Sequence, residues 1–69
     1  MVINSNMIKG RMSEMGINQA DIASALELAK PTVSQKINGI RPMDLDEARK
    51  IAEILRIDAG EFGKYFFAQ

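Results

Sequence analysis

The stretch Gln19–Asn38 reads QADIASALELAKPTVSQKIN, and the organisation of the whole chain turns on it. Hydrophobic spacing divides it into two short helices joined by a tight turn. The first is expected from about Asn18 to Leu26. Asn18 is a good N-cap, because its side-chain oxygen accepts from a free backbone N–H two or three residues on. Ile22, Ala23 and Leu26 then share one face. The second helix is expected from about Lys30 to Asn38, with Gly39 just beyond it as a left-handed stop. Val33 and Ile37, four apart, turn inward. Pro31, Gln35 and Asn38 point the other way, flanked by Lys30 and Ser34 on one edge and by Thr32 on the other. That outward face is polar and free of acids, the character a helix needs to enter a DNA groove.

The rest of the composition narrows the possibilities. Sixty-nine residues are read as one small domain, 1–69, with a limited core. There is no cysteine, so no disulfide framework and no thiolate metal site. There is no histidine, which removes the commonest general base and metal ligand. Nothing resembles a signal peptide or a membrane span, and a cytoplasmic protein is expected. No enzyme activity, cofactor, metal or small-molecule ligand is expected. The formal net charge is zero, but it is unevenly spread. Between Leu28 and Met43 lie Lys30, Lys36 and Arg41 and no acid, while the rest carries six basic and nine acidic residues. A basic strip on a mildly acidic body can still face phosphates, with modest affinity for random DNA.

The spacings within 19–38 resemble the helix-turn-helix of the phage repressor/Cro-like DNA-binding family, the xenobiotic-response-element group. The likeness runs from about Met7 to Phe62. Ala23 stands where the family places a small residue in mid-helix, and Leu28, Val33 and Ile37 stand at its apolar positions. The runs G-I-N-Q and T-V-S-Q-K-I-N-G-I-R-P also read like the family. The chain departs from the pattern at three points. Glu27 replaces the usual turn Gly, at a cost of about 1 kcal/mol if the backbone is left-handed there. Ala29 replaces the usual Ser or Thr cap, a loss that Pro31 in the first turn can offset by fixing φ. Met12 and Ile37 occupy positions where many members bury an Arg–Glu pair, and an apolar contact is expected instead.

The resemblance implies an all-α fold, a compact bundle of five short helices like the lambda-repressor DNA-binding domain. It implies base contacts in the major groove from Lys30, Pro31, Ser34 and Gln35. Gln bonds adenine bidentately, Lys donates to guanine, and Pro31 can touch only a methyl or a sugar. Gln19, Asn38 and Arg41 match positions that bond the DNA backbone. Thr32 and Lys36 join them as phosphate candidates, Lys36 by laying its stem over apolar surface.

Either side of the motif, local signals place the other helices. After a lead-in at Met1–Asn4, Ser5 or Asn4 caps a helix that ends at Met15, with Gly16 as its stop. Met7, Ile8, Met12 and Met15 supply its apolar face, while Lys9, Arg11 and Glu14 point to water. Gly10 inside it costs roughly 1 kcal/mol against Ala, which a close helix approach would explain. Asp44 and Glu47 have capping-box spacing before a helix whose stripe is Leu45, Ala48, Ile51, Ala52 and Leu55. Asp46, Glu47, Arg49, Lys50 and Glu53 are expected in water. Asp58 and Glu61 repeat the start signal. Phe62 and Phe66 are expected to close the core, and Ile54, Tyr65, Phe66 and Phe67 are the candidates for a dimer surface. The expected function is sequence-specific regulation of transcription on double-stranded DNA, as a phage or prophage type repressor. The expected assembly is a homodimer on a palindromic operator. The alternative is a protein-interaction or antitoxin-like module on the same scaffold.

Overall fold

The computed structural model describes residues 2–67. Among these residues there are five helices and no strand: α1 (Ser5–Met15), α2 (Gln19–Leu26), α3 (Lys30–Ile37), α4 (Leu45–Ile54) and α5 (Phe62–Phe66). None is long and apolar enough to cross a membrane.

Helix starts follow the capping residues. Asn4, not Ser5, caps α1, its Oδ1 accepting from the Met7 N–H at 3.2 Å. Asn18 and Asp21 form a reciprocal capping box on α2, with bonds of 2.9 and 3.0 Å. Asp44 and Glu47 do the same on α4, at 2.8 and 3.0 Å. Ala29 offers α3 no side-chain cap. The Asp58–Glu61 signal builds no second box. Those residues form a turn in which the Glu61 and Phe62 N–H groups donate to the Asp58 carbonyl, and α5 starts only at Phe62.

The ends of α1, α2, α3 and α4 share one device. Gly16, Glu27, Gly39 and Arg56 are left-handed, with φ of 66°, 57°, 77° and 53°. The next residue then donates its N–H to the carbonyl five positions back: Ile17 to Met12, Leu28 to Ala23, Ile40 to Gln35 and Ile57 to Ala52, all at 2.8–3.0 Å. This is the Schellman arrangement, which satisfies carbonyls orphaned at a helix end and brings an apolar residue back against the helix. Glu27 is thus left-handed, and Arg56 adds a second non-glycine stop. Each costs about 1 kcal/mol in backbone strain relative to Gly.

The core is continuous. Ile8 and Met12 of α1, Ile22 and Ala23 of α2, Val33 and Ile37 of α3, and Ala48, Ile51, Ala52 and Leu55 at α4 are buried together with Met43 and Phe66. Met12 and Ile37, the expected apolar replacement for an ion pair, are both in this cluster. Helix α3 packs on α2 and α1, α4 packs on α2, and α5 packs on α1. The lead-in is tied down by the Asn4 N–H, which donates to the Tyr65 carbonyl at 2.8 Å.

Several expected positions change. Leu45 is 43% exposed and stands outside the α4 stripe, because the core ends one turn further along the helix. Arg11 is not in bulk water. Its guanidinium donates to the carbonyls of Leu55 (2.8 Å) and Arg56 (3.0 Å), closing the C-terminal end of α4, where a cation is favoured. Gly10 has no atom within 4 Å of where a Cβ would stand, so no close helix approach explains it.

Candidate nucleic-acid interface

Burial of Val33 and Ile37 fixes which way α3 faces. With those two side chains in the core, Lys30, Pro31 and Gln35 stand exposed on the opposite side, and Thr32 and Ser34 are half-buried at its edges. The four base-contact candidates Lys30, Pro31, Ser34 and Gln35 therefore share one surface. It continues into the loop after α3, where Asn38, Ile40 and Arg41 are exposed. Gln19, the first residue of α2, is half-buried.

The loop is held by α3 itself. The Gln35 carbonyl accepts from the N–H groups of both Ile40 (2.8 Å) and Arg41 (3.2 Å), so the backbone of Gln35 and the start of the loop move as one piece. Ile40 marks this region off from the other helix ends. At the matching position after α1, α2 and α4, Ile17, Leu28 and Ile57 lie against the core, but Ile40 is 74% exposed.

Asn38 is an organised side chain. Its Nδ2 donates to the Ser34 carbonyl at 2.8 Å, and its Oδ1 accepts from Lys9 Nζ. Lys9, expected in water, thus joins this face from α1. No local pattern could show it, since the two residues are 29 apart in sequence.

Lys36, a phosphate candidate by sequence, already has partners within the fold: its Nζ is held by Glu47, at 2.7 Å from Oε1 and 2.8 Å from Oε2, and also donates to the Pro42 carbonyl at 3.3 Å. An ammonium has three donors, and all three have acceptors here. The two side chains are only 15% and 16% exposed. Glu47, expected in water, is accordingly sequestered between α3 and α4. The uncommitted cations of the strip are Lys30 and Arg41, neither of which has a carboxylate partner among the described residues.

At the aromatic end the expectation that Phe66 closes the core holds, and its place among the dimer candidates does not. Phe66 is fully buried and is not available to a dimer surface. Phe62 stacks on it, ring centroids 4.7 Å apart, and Tyr65 is half-buried against the core. Phe67 is 53% exposed, and with Leu45, Phe62, Ala59 and Arg49 it lines a mainly apolar groove. Ile54 is half-buried. Leu45 and Phe62 were not among the dimer candidates; Leu45 had been assigned to the core stripe.

A helix-turn-helix family model matches residues 8–62, most of the chain and all of the α2–turn–α3 unit. No curated protein matches the sequence. The chain belongs to the Cro/C1-type helix-turn-helix family of DNA-binding regulators.

Proposed function

We propose that the protein is a sequence-specific repressor of phage or prophage type, acting in the cytoplasm as a homodimer on a palindromic operator. The observation that carries this reading is the acid-free surface of α3 and its loop, set by the burial of Val33 and Ile37. In it, Lys30, Pro31, Ser34 and Gln35 meet base edges, and Gln19, Thr32, Asn38 and Arg41 hold phosphates. Repression follows from occupancy that excludes polymerase.

Each chain carries one α3, so a palindromic operator would take one copy per half-site. Half-sites one helical turn apart are separated by about 34 Å. The exposed apolar surface of Leu45 and Phe67, with Phe62 at the start of α5, supplies a face for the second copy, while Tyr65 lines a different cleft with Arg11 and Arg56.

Selection of binding sites from a random duplex pool at stated salt tests the reading, with an enriched palindrome as the expected result. Gln35→Ala should lose preference at one base position by about 1–3 kcal/mol, seen as binding that falls on the selected site and not on random DNA. Arg41→Ala should weaken binding to all sequences and reduce the salt slope by about 1. The second reading, a partner-binding or antitoxin-like module, is favoured by the same apolar groove. A monomer that enriches no sequence from the pool selects it over the repressor.

A further inference from the structure

We propose that Glu47 withholds Lys36 from DNA phosphates, and so raises the share of binding that depends on base contacts. The inference rests on the DNA-binding reading of α3. Lys36 sits at the border of that face and lines an open cleft together with Ser5, Asn38 and Arg41. Swung into the cleft, its ammonium would stand beside the phosphate candidates Asn38 and Arg41. It does not do so, because both carboxylate oxygens of Glu47 and the Pro42 carbonyl engage it. Glu47 is itself fixed from its own helix, since Oε1 also accepts from the Asp44 N–H at 3.0 Å. The capping box of α4 therefore orients the acid that neutralises a lysine of α3. With Lys36 paired, the strip between Leu28 and Met43 presents two free cations, Lys30 and Arg41, instead of three.

A phosphate contact adds affinity to every sequence alike, whereas a base contact discriminates. Removing one cation from the phosphate count lowers non-specific binding and leaves base readout in place. Glu47 thus acts as a positioning residue for specificity through Lys36, without touching DNA.

Glu47→Gln tests this. Gln serves at the third position of a capping box, so the start of α4 is kept while the charge on Lys36 is released. Binding of a labelled random duplex and of a selected operator is measured by fluorescence anisotropy from about 50 to 200 mM salt. The expected result is roughly five- to tenfold tighter binding to random duplex near 0.1 M salt, and a salt slope steeper by about 0.9. The operator-to-random ratio should fall. In Lys36→Gln/Glu47→Gln, the slope should return to that of the wild type. An unchanged slope in Glu47→Gln, or a gain that persists in the double variant, overturns the proposal. The double variant also tests it alone, should the single one fold poorly: a slope flatter than wild type would mean that Lys36 already contacts phosphate. A wild type that binds no duplex defeats the DNA-binding reading itself, whereas a wild type that binds with Glu47→Gln unchanged defeats only this inference.

Discussion

Helices α3 and α4 are neighbours in sequence and are both seated in the core, but they differ in their local signals. Helix α4 begins with a complete capping box, keeps two acids in its first turn, and has Arg11 on its last carbonyls. Helix α3 begins at Ala29 with no side-chain cap, has no acid in its first turn, and carries a proline where a backbone donor would be. Its local signals are weak, and eight residues are too few to be helical on propensity alone. It is held from outside: Val33 and Ile37 are buried, Lys36 is bound by Glu47, and α1 and α2 pack against it. The helix with the proposed DNA-facing surface is thus free to carry residues chosen for a partner, because its neighbours supply stability that its own sequence does not.

If that contrast is right, the largest losses come from its tertiary seat. Ile37→Ala should cost about 3–4 kcal/mol, within the range of a large-to-small core change, and lower the urea midpoint accordingly. Hydrogen exchange should show α3 amides losing protection before those of α4. Equal loss along both helices at low denaturant would show that α3 has no separate dependence on its seat. Asp44→Ala is the opposite probe, removing a local signal from the helix that has them. The expected cost is about 1 kcal/mol, with α3 gaining no exchange beyond the global change. It also removes the partner that orients the Glu47 main chain, so a cost well above 2 kcal/mol would mean that the Lys36–Glu47 link has been lost with the cap.

The same contrast explains what could be read from the chain beforehand. The starts and stops of helices were legible wherever a residue acts within three or four positions of itself, as with Asn18, Gly16, Gly39 and the Asp44–Glu47 pair. The core was legible for the same reason, since Val33 with Ile37 and Ile51 with Leu55 repeat at helical spacing. Three side chains have partners that the spacing could not show, because those partners are remote in sequence. Lys36 bonds a residue 11 positions away, Lys9 one 29 away and Arg11 one 44 away. A long cationic side chain has no periodicity that tells water from a carbonyl in another helix. Leu45 was misplaced: the stripe is real, but the core it faces is finite. At Asp58 the right residues stand at the right spacing, and the chain uses the Asp58 carbonyl for a turn instead of its side chain for a cap. The face of α3 was legible as a face. Its electrostatics were not, because the neutralising acid lies outside the strip.

The smallest effect discriminates most finely, and it reverses the missing signal. Ala29 already has the extended backbone of an N-cap, φ −69° and ψ 146°. In Ala29→Ser the new hydroxyl can accept from the Thr32 N–H, but not from position 31, where proline has none. With one of the two usual donors absent, the expected gain lies near the lower end for a cap, about 0.5–1 kcal/mol. The variant also occupies a donor that would otherwise point out of the end of α3, where phosphates are favoured. If that N–H serves a phosphate, the protein becomes more stable while binding to operator and random duplex weakens together. Anisotropy titrations alongside thermal melts separate the outcomes. Greater stability with unchanged affinity would take the backbone of Thr32 off the interface and leave its side chain as the group in question.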